Sequence, residues 1–280
     1  MTILQAALLG LLQGVTELFP ISSLGHSVIL PPLLGWDINE SDSSFLVFLV
    51  ATHFATAVVL LIYFWRDWLS IARGMLHTLR VRRIGPGDTY ARIGWLLVVA
   101  TIPAGILGLL FQSQLQDLFA SSTYVALFLI GNGILLYGTE HIRRRSTIVE
   151  IHDDMRVAEL SWWRALFIGF MQCLALFPGF SRTGATLSGG LISGLSHQDA
   201  ARFAFLLATP IIFAAAVLKL PHLLGASIDV VVPTIIGSLF AALGAYFSIR
   251  YLTQYFKTHT LTPFAIYCLV VGALTLIALH

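Results

Sequence analysis

Leu18-Phe19-Pro20-Ile21-Ser22-Ser23 and Leu176-Phe177-Pro178-Gly179-Phe180-Ser181 are near copies of one another, each closing an apolar run and opening a stretch rich in glycine and hydroxyls. Proline has no N–H and pushes the residue before it out of the helical region, so helices should end at Phe19 and Phe177 inside apolar surroundings. Backbone groups freed at that depth are tolerated only in a protein-lined or watered cavity. Polar side chains gather at both breaks: Gln13, Glu17, Ser22, Ser23 and His26 at the first, Ser181, Arg182, Thr183 and Thr186 at the second. Interrupted apolar segments in corresponding places of two halves point to a binding site between them.

Working outward, the 280 residues are 57% hydrophobic and 11% charged, whereas a soluble domain carries roughly a quarter charged residues. The chain reads as a polytopic membrane protein. Six apolar runs approach spanning length, at about 45–65, 93–112, 122–138, 203–220, 230–249 and 260–279. Arg66, Arg73, Arg80, Arg82, Arg83 and Arg92 fill the loop after the first run, and Arg143, Arg144, Arg145, Arg156 and Arg164 the loop after the third. By the positive-inside rule both loops are cytoplasmic. The stretch 113–121, without Lys or Arg, then lies outside, as do residues 37–44 with Asp37, Glu40 and Asp42.

Segments 3–19 and 21–35 are each shorter than the roughly 20 residues of a straight span. They read as a re-entrant pair dipping in from outside, with a single kinked span as the alternative. Segments 162–177 and 181–195 follow a cytoplasmic loop and enter from inside. The expected fold is therefore all-α: about six transmembrane helices plus two re-entrant helix pairs in an inverted-topology repeat. One membrane domain covers 1–280, with halves at about 1–140 and 160–280. A second repeated piece, Phe48-Leu49-Val50-Ala51-Thr52 against Phe205-Leu206-Leu207-Ala208-Thr209, recurs at nearly the same offset. The 139–162 loop, with Glu150, Asp153 and Asp154, reads as a charged connector between halves. No Lys or Arg precedes Arg66, so the N-terminal apolar run is expected to belong to the mature fold rather than to a cleaved leader.

A net charge of +2, with eleven of the sixteen basic residues in the two arginine-rich loops rather than along a binding face, argues against nucleic acid as a partner. Cys173 and Cys268 lie in apolar runs and read as small buried hydrophobes. Glu17 is the one acidic residue inside an apolar run, and a charge at membrane depth costs at least about 2.5 kcal/mol, which makes it a functional candidate. A protonated Glu bonded between helices is the plainer reading. Gln13, four residues earlier, shares its helix face. After Pro20 the chain restarts at Ser22 or Ser23, with His26 on the same face, so a nucleophile, a proton carrier and a carboxylate fall within ten residues. Ordinary capping by Ser22 and a tucked-in histidine would give the same spacing.

At the second break, Pro178 through Thr186, with Gly184 among them, sets a guanidinium among hydroxyls where a helix begins. Backbone N–H groups, helix dipole and a forked cation converge there, as an anion such as phosphate requires. A structural ion pair of Arg182 with Glu17 is the alternative. His53 reads as a bundle-facing hydrogen bonder and Lys219 as an interfacial snorkeller.

The chain resembles the BacA-type undecaprenyl-diphosphate phosphatases, integral membrane enzymes of bacteria. The resemblance rests on Gln13-Gly14-Val15-Thr16-Glu17, which fits that family's Glu/Gln-x-x-x-Glu motif, on Ser22-Ser23-Leu24-Gly25-His26, and on Pro178 through Thr186; Phe203 to Pro210 is also similar. It implies removal of the terminal phosphate of a polyprenyl diphosphate, undecaprenyl diphosphate, to give the lipid carrier of cell-wall synthesis. It also implies that Glu17, Ser23, His26 and Arg182 are active-site positions, with Gln13, Ser22, Ser181, Thr183, Gly184 and Thr186 around them binding substrate. Ser23 is the favoured nucleophile, His26 the proton shuttle, Glu17 the activating base or metal ligand and Arg182 the diphosphate clamp. His26 as nucleophile stays open.

A divalent cation, Mg²⁺ bridging substrate oxygens, is the implied cofactor, with Glu17 its one convincing ligand. The implied location is the bacterial inner membrane with the site open to the periplasmic side, and a homodimer is left open. Leu24 stands where the family commonly has Thr and Thr183 where it commonly has Ser, so one hydroxyl is lost and one kept; Gln13 in place of Glu removes a possible ligand. The competing reading is a secondary transporter or flippase for an anion or lipid phosphate, since broken helices in inverted repeats also mark carriers. A carrier needs the arginine and an acid but no nucleophile.

Overall fold

The computed structural model describes the chain except residues 39–41, 112–120, 146–156, 220–226 and 280. Among the described residues it is all-helical: α1 (Ile3–Leu18), α2 (Ser23–Leu33), α3 (Ser43–Tyr63), α4 (Trp65–Val81), α5 (Thr89–Leu110), α6 (Ser122–Arg145), α7 (Trp162–Gln172) with a 3-10 turn at Cys173–Leu176, α8 (Arg182–Ile192), α9 (His197–Lys219), α10 (Ile228–Tyr255) and α11 (Thr262–Ala278). Five of these, α3, α5, α6, α9 and α10, are long and apolar enough to cross a membrane. The protein is a polytopic membrane protein. The sixth expected span, 260–279, is the 17-residue α11, which rises only about 25 Å at 1.5 Å per residue and so sits at the lower limit for crossing.

Both breaks form where proline dictates. Phe19 closes α1 in an extended conformation (φ −70°, ψ 146°), and Phe177 closes the 3-10 turn likewise (φ −87°, ψ 127°). The chain then restarts under a serine cap in both places: Ser22 Oγ accepts the Gly25 N–H to open α2, and Ser181 Oγ accepts the Gly184 N–H to open α8. Ser22 holds φ at 68°, a left-handed value that costs a residue with a Cβ about 1–3 kcal/mol and persists only where the surroundings enforce it.

Small residues let the short helices seat deeply. α1 lies along α10 so closely that a Cβ on Gly14 would stand 2.0 Å from Ala241 O, and α7 lies along α5 with the Gly169 position 2.5 Å from Ala100 O. Such close backbone approach is how helices associate where lipid removes the usual hydrophobic drive. α3 and α9 pack together; Phe48, Thr52, Phe205 and Thr209 of the repeated pieces are all buried.

One expectation is corrected. The arginine-rich loop after the first span is mostly the helix α4, with Arg66, Arg73 and Arg80 recurring every seven residues and therefore on one side. Trp65, Leu69, Leu76 and Leu79 are exposed while Ile71 is buried against the core. An amphipathic helix of this kind lies in the membrane surface rather than across it, and its apolar residues form no uninterrupted run. Arg143, Arg144 and Arg145 likewise end α6 rather than lie in a loop. The outer stretch 113–121 except Ser121, the connector acids Glu150, Asp153 and Asp154, and the Lys219 side chain fall outside the described residues.

Candidate active site

Glu17 occupies the last turn of α1, and both its carboxylate oxygens are engaged. Oε1 accepts from the Arg182 guanidinium. Oε2 accepts from the Ser23 hydroxyl, from Gln13 Nε2 at 3.2 Å and from His53 Nε2 at 3.1 Å. The partners come from α1, α2, α3 and α8, so one buried carboxylate joins four helices. The Thr183 hydroxyl adds a bond to the Glu17 carbonyl at 3.0 Å. An intramembrane carboxylate costs least when fully paired and hydrogen-bonded, and this one is.

The two breaks are clamped to each other by Asn132 of α6. Its Nδ2 donates to Pro20 O at 2.9 Å and its Oδ1 accepts the Ser181 N–H at 3.2 Å; the Ser181 hydroxyl donates to Phe19 O at 3.3 Å. These bonds satisfy backbone groups that the prolines free. Gly184 belongs to the same contact, since a Cβ there would come within 3.0 Å of Asn132 Oδ1.

His26 is turned away from Ser23. Its Nδ1 lies 2.6 Å from Ser22 O and its Nε2 2.7 Å from the Tyr267 hydroxyl of α11. A carbonyl can only accept, so Nδ1 carries the hydrogen and Nε2 is left to accept from the phenol. For His53 the partners differ: Leu49 O lies 2.7 Å from Nδ1 and the Glu17 carboxylate 3.1 Å from Nε2.

Of the ten residues singled out from sequence, Gln13, Glu17, Ser23, Arg182 and Thr183 meet at one point. Ser22 and Ser181 cap the restarting helices. His26 stands beside them on a separate bond pair, and Thr186 spends its hydroxyl on Arg182 O and Thr183 O of its own helix. The Glu17–Arg182 ion pair, held as an alternative, is present, and it leaves further guanidinium donors on a side chain 17% exposed at the N-terminus of α8. Cys173 and Cys268 are free thiols. His53, Asn132 and Tyr267 were not read as site residues. Asn132 is the only amide in its apolar run and His53 directly follows the repeated Phe48–Thr52 piece, which are the signals that could have found them; Tyr267 offers none.

Chemically, a hydroxyl that donates to a carboxylate is poised to lose its proton to it on attack, and a forked cation on the other oxygen suits an anionic group beside them. Among the described residues no three His, Cys, Asp or Glu side chains group as metal ligands. Gln13 Oε1 is buried without a hydrogen-bond partner beside the Glu17 carboxylate. One carboxylate and one amide oxygen suit a cation that takes its remaining ligands from water and substrate phosphate.

Comparison with known proteins settles the lineage. The family model described as Bacitracin resistance protein BacA matches residues 6–274. The chain belongs to this family. It is 46% identical over 296 residues to an undecaprenyl-diphosphatase of Mycolicibacterium paratuberculosis, covering 98% of this chain and 96% of the relative. It is also 45% identical over 285 residues to an undecaprenyl-diphosphatase of Acidiphilium cryptum, covering 99% and 98%, and 43% identical over 335 residues to undecaprenyl-diphosphatase 2 of Frankia alni, covering 98% and 97%. The matched residues 6–274 include both Pro-broken segments that build the Glu17–Arg182 site.

Proposed function

We propose that the protein hydrolyses undecaprenyl diphosphate to undecaprenyl phosphate and inorganic phosphate. The observation that carries the reading is the Ser23 hydroxyl seated on the Glu17 carboxylate with Arg182 on the carboxylate's other oxygen. The relatives named undecaprenyl-diphosphatase, aligned along nearly the whole chain, support the substrate.

In this reading Arg182 and the α8 N-terminus bind the terminal phosphate. Ser23 Oγ attacks phosphorus, its proton passes to Glu17 Oε2, and the anhydride P–O bond breaks to release the lipid monophosphate. Water then cleaves the phosphoserine, and Glu17 and His26, whose Nε2 faces Tyr267, carry the protons. Gln13 Oε1 and Glu17 are the groups that would hold a divalent cation, Mg²⁺, whose part is to offset diphosphate charge. A carrier would have no use for a serine hydroxyl placed on a carboxylate.

The reading sets the protein in the bacterial inner membrane with the site open to the periplasmic side, in keeping with the arginines of α4 and of the α6 end on the opposite, cytoplasmic side. It includes the inverted repeat. α1 packs along α10 and α7 along α5, so each re-entrant pair leans on a long span of the other half. The test is phosphate release from undecaprenyl diphosphate by the purified protein, with and without chelator. Turnover lost in Ser23→Ala supports the reading, and no turnover with any divalent cation overturns it. Trapping a phosphohistidine at His26 would move the nucleophile there.

A further inference from the structure

We infer that His53 is a positioning residue of this site: it holds the Glu17 carboxylate in line with the Ser23 hydroxyl from a helix that carries no other group at the breaks. The inference rests on the phosphatase reading for its kinetic consequence, but its contact stands independently.

His53 lies mid-way along α3, a span without Asp, Glu, Lys or Arg, and its ring is fixed at both ends. Nδ1 is bonded to Leu49 O one turn back at 2.7 Å, and Nε2 reaches Glu17 Oε2 at 3.1 Å. A bond to a backbone carbonyl in the same helix removes the ring's freedom to turn, so Nε2 is a stationary donor. The other donors to Glu17 are not stationary in the same sense. Gln13 sits on α1 itself and moves with Glu17. In the proposed reaction Ser23 leaves its bond when it attacks, and Arg182 shares its guanidinium with the substrate phosphate.

His53 is then the remaining cross-helix contact that keeps Oε2 where Ser23 left its proton. Its absence would let the carboxylate follow Arg182 toward the phosphate. That would separate base from nucleophile, and a misplacement of about 1 Å typically costs about 10²-fold. Because His53 touches Glu17 rather than substrate, its loss should act on turnover and leave substrate binding alone.

The experiment has two arms. In the kinetic arm His53→Leu should lower kcat of phosphate release by about 10²-fold with KM changed less than about threefold, whereas His53→Gln, which keeps an N–H donor within reach of Oε2, should recover at least about a tenth of wild-type kcat. Melting temperatures of both detergent-purified variants establish that each is folded. In the contact arm the full-length protein is labelled with [¹⁵N]histidine and the His53 ring signals are assigned by their loss in His53→Gln. Those signals should move on Glu17→Gln and stay in place on Ser193→Ala. Unmoved His53 signals, or a folded His53→Leu with kcat within threefold of wild type, would overturn the inference. A wild-type protein that releases no phosphate would defeat the phosphatase reading alone, since the labelled signals still report whether His53 holds Glu17.

Discussion

Adding a single methyl group to α1 tests whether the seating of that helix sets the geometry of the site. In Gly14→Ala the new Cβ would stand 2.0 Å from Ala241 O and 2.8 Å from Ala245 N. Real Cβ contacts essentially never fall below 3.0 Å, so α1 and α10 must part by at least about 1 Å, at an overpacking cost of about 1–3 kcal/mol. Glu17 is three residues on, about 4.5 Å along the axis, and moves with the turn. Its bonds from Gln13 and His53 are already 3.2 and 3.1 Å long, so a 1 Å displacement carries the His53 contact past hydrogen-bonding distance and lowers kcat/KM by about 10²-fold.

Phosphate release by the purified variant measures this, with Leu8→Ala on the exposed face of α1 as a control expected within about twofold of wild type. Ala241→Gly should not rescue the variant, because the collision is with a carbonyl oxygen and not with the Ala241 methyl. A folded Gly14→Ala with near-normal kcat/KM would refute the claim that this packing positions Glu17.

Arg182→Lys keeps the charge and loses the fork; it should leave a membrane-inserted protein with kcat/KM down by about 10²-fold, about 3 kcal/mol of transition-state stabilisation. Near-normal release would return Arg182 to a purely structural ion pair with Glu17. Asn132→Ala strips the Ser181 N–H of its partner and leaves Pro20 O only the Cys268 thiol at 3.9 Å, at about 1–3 kcal/mol for a buried group left unpaired, and should lower the melting temperature of the purified protein as well as its activity; an unchanged melting curve would mean that the breaks do not depend on the clamp. For topology, in a background with Cys173 and Cys268 replaced, Asp42→Cys should react with an impermeant thiol reagent in whole cells and Arg83→Cys should not. The reverse pattern would invert the orientation.

The breaks were legible because proline acts locally: Phe19 and Phe177 end their helices for a reason contained in the next residue, and Ser22 and Ser181 cap by a rule that spans three. Glu17 and Arg182 stood out because charge is costly among apolar neighbours wherever the chain goes. What the sequence left unread were contacts set by packing. Asn132 meets Pro20 across 112 positions and Tyr267 meets His26 across 241, and no local pattern encodes either. His53 was read as a hydrogen bonder facing the bundle, which it is, but its partner depends on how α1 seats beside α3. Helix α4 was missed because its apolar residues alternate with arginines at helical spacing, a pattern for lying on a membrane that resembles a basic loop when only uninterrupted runs are counted.

The pairing of α1 with α10 also constrains how the protein is made. Gly10 comes to rest against Gly237, a residue that emerges from the ribosome about 10 to 45 s later at ordinary rates of synthesis. Throughout that interval Gln13 and Glu17 are at or near the membrane without the small-residue face of α10, and Arg182 itself follows Glu17 by 165 residues. The first broken segment must therefore wait, sheltered in water or by the insertion machinery, until the second half arrives to close over it. Neither half is a separately maturing unit, and a chain cut in the connector would regain its site only if both fragments reached the same bilayer together.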